Sequence, residues 1–123
     1  MENKEKHILL VDESWVYLSI GKKVLEVKYI IATASSAEKM FCFLENNTPD
    51  MILLDVDMPE MNGYEAIKIL KSKPETKDIP VIFLTARTGS DDKLEGLSLG
   101  AIDYITKPYN SSALLKRIEI NLC

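Results

Sequence analysis

The sequence predicts a three-layer α/β domain built on an open, doubly wound parallel sheet. Two observations carry this. Five short apolar runs alternate along the chain with segments of helical period. The 123 residues hold five such strand–helix units, too few for the eight units of a closed barrel. Unbroken apolar runs suit strands covered on both faces of a parallel sheet. Their strict alternation with helices requires right-handed crossovers.

The first run is Ile8-Leu9-Leu10-Val11. A helix is expected near Trp15 to Glu26, capped by Ser14 and weakened by the internal Gly21. The second run, Tyr29-Ile30-Ile31-Ala32, ends in Thr33-Ala34. Ala37, Met40, Phe41 and Leu44 then recur at the spacing of one helix face, behind Ser35 as the expected cap. Met51-Ile52-Leu53-Leu54 is followed by a helix with Gly63, Ala66, Ile67 and Leu70 on one face and Asn62 as its cap. Val81-Ile82-Phe83-Leu84 precedes a helix near Asp91 to Leu99, which Ser90 is expected to cap and which has the least regular apolar stripe. Ile102-Asp103-Tyr104-Ile105 is the least apolar run and reads as an edge strand. The last helix, with Ser111 as the expected cap, presents Leu114, Leu115, Ile118 and Leu122.

Composition excludes several classes. Apolar residues make up 46% and charged residues 28%, which fits a folded globular chain and not a disordered one. Lys and Arg number 15 against 19 Asp and Glu, a formal net charge of −4. Nucleic-acid binders show a basic excess, and anionic membranes attract polybasic faces; neither is expected here. No run approaches the ~20 apolar residues that span a bilayer. The charged start, Met1-Glu2-Asn3-Lys4-Glu5-Lys6, does not read as a signal peptide. The expectation is one domain over residues 1–123, core about 6–122, in the cytoplasm. Cys42 and Cys123 have neither metal-ligand spacing nor the number for a disulfide framework, and are expected to be free thiols, with Cys42 packed in the core.

The chemistry gathers at the carboxyl ends of the runs. The first ends in Asp12-Glu13, the third in Asp55, the fourth in Thr85 and the fifth in Lys107-Pro108. Parallel strands would bring these to one edge, where doubly wound sheets bind ligands. Taken singly, each has a plain reading: solvated acids, a turn threonine, a surface lysine. The coincidence of the set at one edge carries the argument. Carboxylates this close raise each other's pKa unless a cation neutralises them. Oxygen donors point to Mg²⁺ before zinc. An ammonium and a hydroxyl complete the parts for binding a transferring phosphoryl group, and Asp55 is the candidate nucleophile.

These residues resemble the receiver domains of two-component response regulators, including single-domain chemotaxis-type regulators. The matching motifs are Leu10-Val11-Asp12-Glu13, the segment Leu53 to Gly63 that contains Asp55-Val56-Asp57-Met58-Pro59, Leu84-Thr85-Ala86, and the segment Gly100 to Pro108. The resemblance runs from about Lys6 to Cys123 and implies a flavodoxin-like (βα)5 sheet of strand order 2-1-3-4-5. It implies that Asp55 accepts a phosphoryl group from a sensor histidine kinase or phosphotransfer protein. It implies a Mg²⁺ site of Asp12, Glu13, Asp55 and the backbone carbonyl of Asp57. Lys107 would pair with the acyl phosphate, aimed by a cis Lys107–Pro108 peptide. Thr85 would be the switch hydroxyl and Tyr104 the switch aromatic that turns inward.

Asp57 and Arg87 fall at the family's two lifetime-tuning positions, and a pairing between them is a further expectation. The acidic pair is Asp-Glu, where Asp-Asp is commoner in the family. The expected output is a switch in the face of the fourth helix, fifth strand and fifth helix. That face would act on a downstream effector protein or domain, with homodimerisation on phosphorylation. No enzyme activity beyond assisted self-phosphorylation and self-dephosphorylation is expected. The alternatives are a receiver-shaped docking module that takes no phosphate and an Asp-x-Asp phosphatase using Asp55 and Asp57. Trp15 is expected to be partly buried, and His7 to be a solvated strand start.

Overall fold

The computed structural model describes residues 6–87 and 89–122. The strands are β1 (His7–Val11), β2 (Ile30–Ala34), β3 (Met51–Asp55), β4 (Val81–Thr85) and β5 (Asp103–Thr106). They alternate with α1 (Trp15–Leu25), α2 (Ala37–Leu44), α3 (Gly63–Ser72), α4 (Ser90–Ser98) and α5 (Ser111–Leu122). All pairings are parallel, in the order β2-β1-β3-β4-β5.

Alternation along each strand sends side chains to opposite faces. Leu9, Val11, Ile52, Leu54, Val81 and Phe83 pack with Met40 of α2 and with Ala66, Ile67 and Leu70 of α3. Ile8, Leu10, Leu53, Ile82, Leu84 and Ile105 pack with Leu25 of α1 and with Leu114 and Ile118 of α5. The central strands β3 and β4 are buried along their whole length, which is why they are apolar at every position before their final polar residue. Gly21 does not weaken α1 so much as let it approach β1: a Cβ there would lie 2.7 Å from Leu10 Cδ2.

Several local expectations move. α2 is capped by Ser36, not Ser35; Ser36 Oγ accepts from Lys39 N at 3.1 Å, while Ser35 Oγ accepts from the Lys39 ammonium. Gly89, not Ser90, precedes α4, without a side-chain cap. Asn110, not Ser111, serves α5, its Oδ1 accepting from Ala113 N at 2.7 Å. In α2 and α5 the shift places the acceptor three residues before the donor, as capping geometry demands. β5 begins one residue later than the apolar run, and Ile102 is exposed.

Two burial expectations are overturned. Trp15 is 74% exposed, because it opens α1 beyond the sheet edge with no layer to cover it. Cys42 is exposed, because two residues on from buried Met40 is the outward side of a helix. His7 is exposed, its N–H donating to Asp50 Oδ2 at 2.8 Å. Cys123 lies outside the described residues. Among those residues no helix is long and apolar enough to cross a membrane.

Candidate phosphoryl-transfer site

The parallel register builds the site. Val11 sits opposite Leu54, so Asp12 and Asp55 emerge side by side at the ends of β1 and β3. Thr85 pairs with Thr106, so Lys107 leaves β5 beside them, its N–H donating to Thr85 O at 2.7 Å. Asp12 is 0% exposed and Asp55 3%. The Lys107 ammonium lies 2.7 Å from Asp12 Oδ2 and 3.4 Å from Asp55 Oδ1. The Lys107–Pro108 peptide is cis.

Backbone donors hold the carboxylates. Asp12 Oδ1 accepts from Ser14 N at 2.9 Å, and Ser14 in turn caps α1. Asp55 Oδ1 accepts from Asp57 N at 3.2 Å, and Oδ2 faces Glu13 N at 3.5 Å. Burial, and after it the charge of Asp12, pushes the Asp55 carboxyl up to about 6, while Lys107 and the Asp57 N–H pull it down. Two carboxylates against one ammonium leave an excess negative charge. Asp12 Oδ2 is buried with no aligned hydrogen-bond donor; Lys107 meets it as an ion pair without that alignment.

This donor set is all oxygen and electron-rich, which fits a hard divalent cation. The described residues do not gather three such side chains into a ready-made shell. Asp12 and Asp55 come together, whereas the Glu13 side chain is exposed and does not join them in this arrangement.

A second group lies on the β4 side. Thr85 is fully buried, and its Oγ1 accepts from Arg87 N at 2.9 Å. Arg87 Nη2 and Nε both reach Asp57 Oδ1, at 2.8 and 3.2 Å, so the expected pairing is present. Arg87 Nη1 is 3.7 Å from Asp92 Oδ1 in the first turn of α4. Tyr104 already lies inside, 8% exposed, its hydroxyl donating to the Asp92 carbonyl. Gly96 makes that possible: a Cβ there would be 2.7 Å from the Tyr104 hydroxyl. Tyr64 of α3 donates to the same carbonyl at 3.2 Å and packs edge-on against Phe83.

Sequence reading missed Tyr17, Tyr64 and Tyr109. Tyr17 lies under the Lys107 ammonium, and Tyr109 packs against Tyr17. The usable signal was position: Tyr17 and Tyr64 each fall in the first helical turn after an acidic strand end.

The geometry defines a receiver-type site, and the chain belongs to the family of response regulator receiver domains, whose model matches residues 8–119. It is 42% identical over 124 residues to the transcriptional regulatory protein YvrH of Bacillus subtilis, covering 99% of this chain and 50% of that protein. The chain thus spans half the length of that curated relative. Its structure is similar to that of chemotaxis protein CheY4 of Vibrio cholerae, with TM-score 0.89, 29% identity, and coverage of 94% of this chain and 97% of the other. It is also similar to the receiver domain of sensor histidine kinase PA1611 of Pseudomonas aeruginosa, with TM-score 0.84, 25% identity, and coverage of 94% and 95%. That structure has a magnesium ion coordinated in its active-site cleft.

Proposed function

We propose that this chain is a working phosphoacceptor. Asp55 takes a phosphoryl group from the phosphohistidine of a sensor histidine kinase or phosphotransfer protein in the cytoplasm. The observation that carries the reading is the Lys107 ammonium between buried Asp12 and Asp55. A carboxylate oxygen of Asp55 attacks phosphorus as the P–N bond to imidazole breaks, and the released nitrogen takes its proton from solvent. Lys107 neutralises charge on the incoming phosphoryl oxygens. Asp12, Asp55 and the Asp57 carbonyl, with Glu13, would hold Mg²⁺, which supplies further neutralisation of the transferring group.

The output follows from Thr85. Its hydroxyl now accepts from Arg87 N; turning toward a phosphoryl oxygen breaks that bond and frees the β4–α4 connection. Tyr64 and Tyr104, both on the Asp92 carbonyl, then hold or release the first turn of α4. The face of α4, β5 and α5 carries the change to an effector protein or domain. An Asp-x-Asp phosphatase would need a free second carboxylate as general acid, and Asp57 is engaged by Arg87.

The test is intact-mass spectrometry after incubation with acetyl phosphate, with and without Mg²⁺. One added phosphoryl group is expected with Mg²⁺ in the wild type and none in Asp55→Asn. A wild type that stays unmodified, even with a freshly added donor and rapid quenching, would refute the acceptor role.

A further inference from the structure

Lys107 is held from a side that neither carboxylate explains. Its Nζ lies 4.5 Å from the centroid of the Tyr17 ring, with Asp12 and Asp55 at 2.7 and 3.4 Å. Tyr17 stands in the first turn of α1, its N–H directed at the capping Ser14 Oγ at 3.4 Å. Helical side chains lean toward the N-terminus of their helix. The ring is therefore carried back over the end of β1, to the site, and not out along α1.

The ring is itself braced. Tyr109 packs against it with centroids 5.4 Å apart and planes tilted by 53°. Tyr109 follows Lys107 by two residues, so the loop that delivers the lysine also delivers the brace. The Tyr109 hydroxyl is buried without a hydrogen-bond partner among the described residues, so packing alone places this ring. Gly21, one turn beyond Tyr17, lines the same space: a Cβ there would lie 3.5 Å from the Tyr109 hydroxyl, an ordinary contact distance.

A lysine ammonium is a point charge on a flexible four-carbon stem. Two carboxylates attract it, and one of them changes character when Asp55 becomes an acyl phosphate. An aromatic face attracts the cation in both states and offers no proton acceptor that competes with the phosphoryl oxygens.

We propose that Tyr17 is a positioning residue of the phosphoryl-transfer site: its ring face seats the Lys107 ammonium between Asp12 and Asp55, and Tyr109 braces that ring. The inference rests on the reading of Asp55 as phosphoacceptor. What matters is the ring and not the hydroxyl, so Tyr17→Phe keeps the device and Tyr17→Leu removes it at similar bulk.

Two readouts test it. In ¹³C-lysine-labelled protein, the Lys107 Hε signals, assigned by their loss in Lys107→Arg, are expected upfield from the ring current in the wild type and Tyr17→Phe. They should return toward the ordinary lysine position in Tyr17→Leu. With phosphoramidate as donor and saturating Mg²⁺, Tyr17→Leu is expected to be phosphorylated about 2- to 30-fold more slowly, the range a cation–π contact supplies. Tyr17→Phe should keep the wild-type rate. If Tyr17→Leu does not fold, Tyr17→Met replaces it in both arms. Equal rates in wild type and the ringless variant overturn the proposal, as does a Tyr17→Phe rate as low as that of Tyr17→Leu. A wild type that takes up no phosphoryl group overturns the acceptor reading instead, and the ring-current arm then decides the seating of Lys107 by itself.

Discussion

Two ion pairs flank one cleft at nearly equal distances, and their surroundings make them different. Lys107 meets Asp12 at 2.7 Å where the lysine is 12% exposed and the aspartate 0%. Arg87 meets Asp57 at 2.8 Å where the two are 42% and 50% exposed. Water screens the outer pair, and such pairs stabilise little. The inner group has lost its hydration and must neutralise itself from within. It does so incompletely, with two acids against one base. The buried side therefore keeps an excess of negative charge, while the exposed side acts as a brace between the β3–α3 loop and α4.

The comparison breaks most visibly at Lys107. Lys107→Met leaves two buried carboxylates without their ammonium and is expected to cost about 2–4 kcal/mol at pH 7, read by urea unfolding. The loss should shrink toward pH 4, where Asp55 holds its proton and one of the two negative charges is gone. An unchanged urea midpoint at pH 7 would show that solvent already screens this group.

Asp55→Asn sharpens the contrast with the opposite sign. Folded Asp55 holds its proton up to about 6, against 3.8 for the unfolded carboxyl. Between those values the folded state binds more protons, so this contribution to stability is full below 3.8 and is lost as pH rises through about 6. In metal-free buffer Asp55→Asn is expected to be more stable than wild type by about 1–3 kcal/mol at pH 7. The advantage should vanish near pH 4. An advantage that grows on acidification would reverse the sign argued here.

The outer pair should give the smallest effect. A double-mutant cycle of Asp57→Ala and Arg87→Ala is expected to show a stability coupling of about 0.2–1 kcal/mol that fades in high salt. Coupling as large as that of the buried group would erase the distinction between the two sides.

What was legible in the sequence follows the same division. Asp12, Asp55, Thr85 and Lys107 stood out because each ends an apolar run, and a parallel sheet maps such ends to one edge. The pairing of Asp57 with Arg87 was expected from the family resemblance, which singled out those two loop positions. Trp15, Cys42 and the caps of α2, α4 and α5 were misread for one reason. In a helix a shift of one residue turns the side chain by about 100°, so the face of a short helix is weakly specified by pattern. Tyr17 and Tyr64 were invisible as site residues because an aromatic in a helix reads first as core, and Tyr109 because it stands in the β5–α5 loop just past the Lys107-Pro108 motif.

The sequence by itself determined the order of strands and helices, the strand that would be least apolar, and which chemical groups stand at the strand ends. Those depend on backbone periodicity, which acts over a few neighbouring residues. Only the tertiary structure decided that Glu13 stays outside, that Tyr104 already lies beneath α4, and that the Tyr17 ring faces Lys107. Charge, hydration and ring contacts depend on separation through space and on the surrounding dielectric, and both arise only when distant segments pack together.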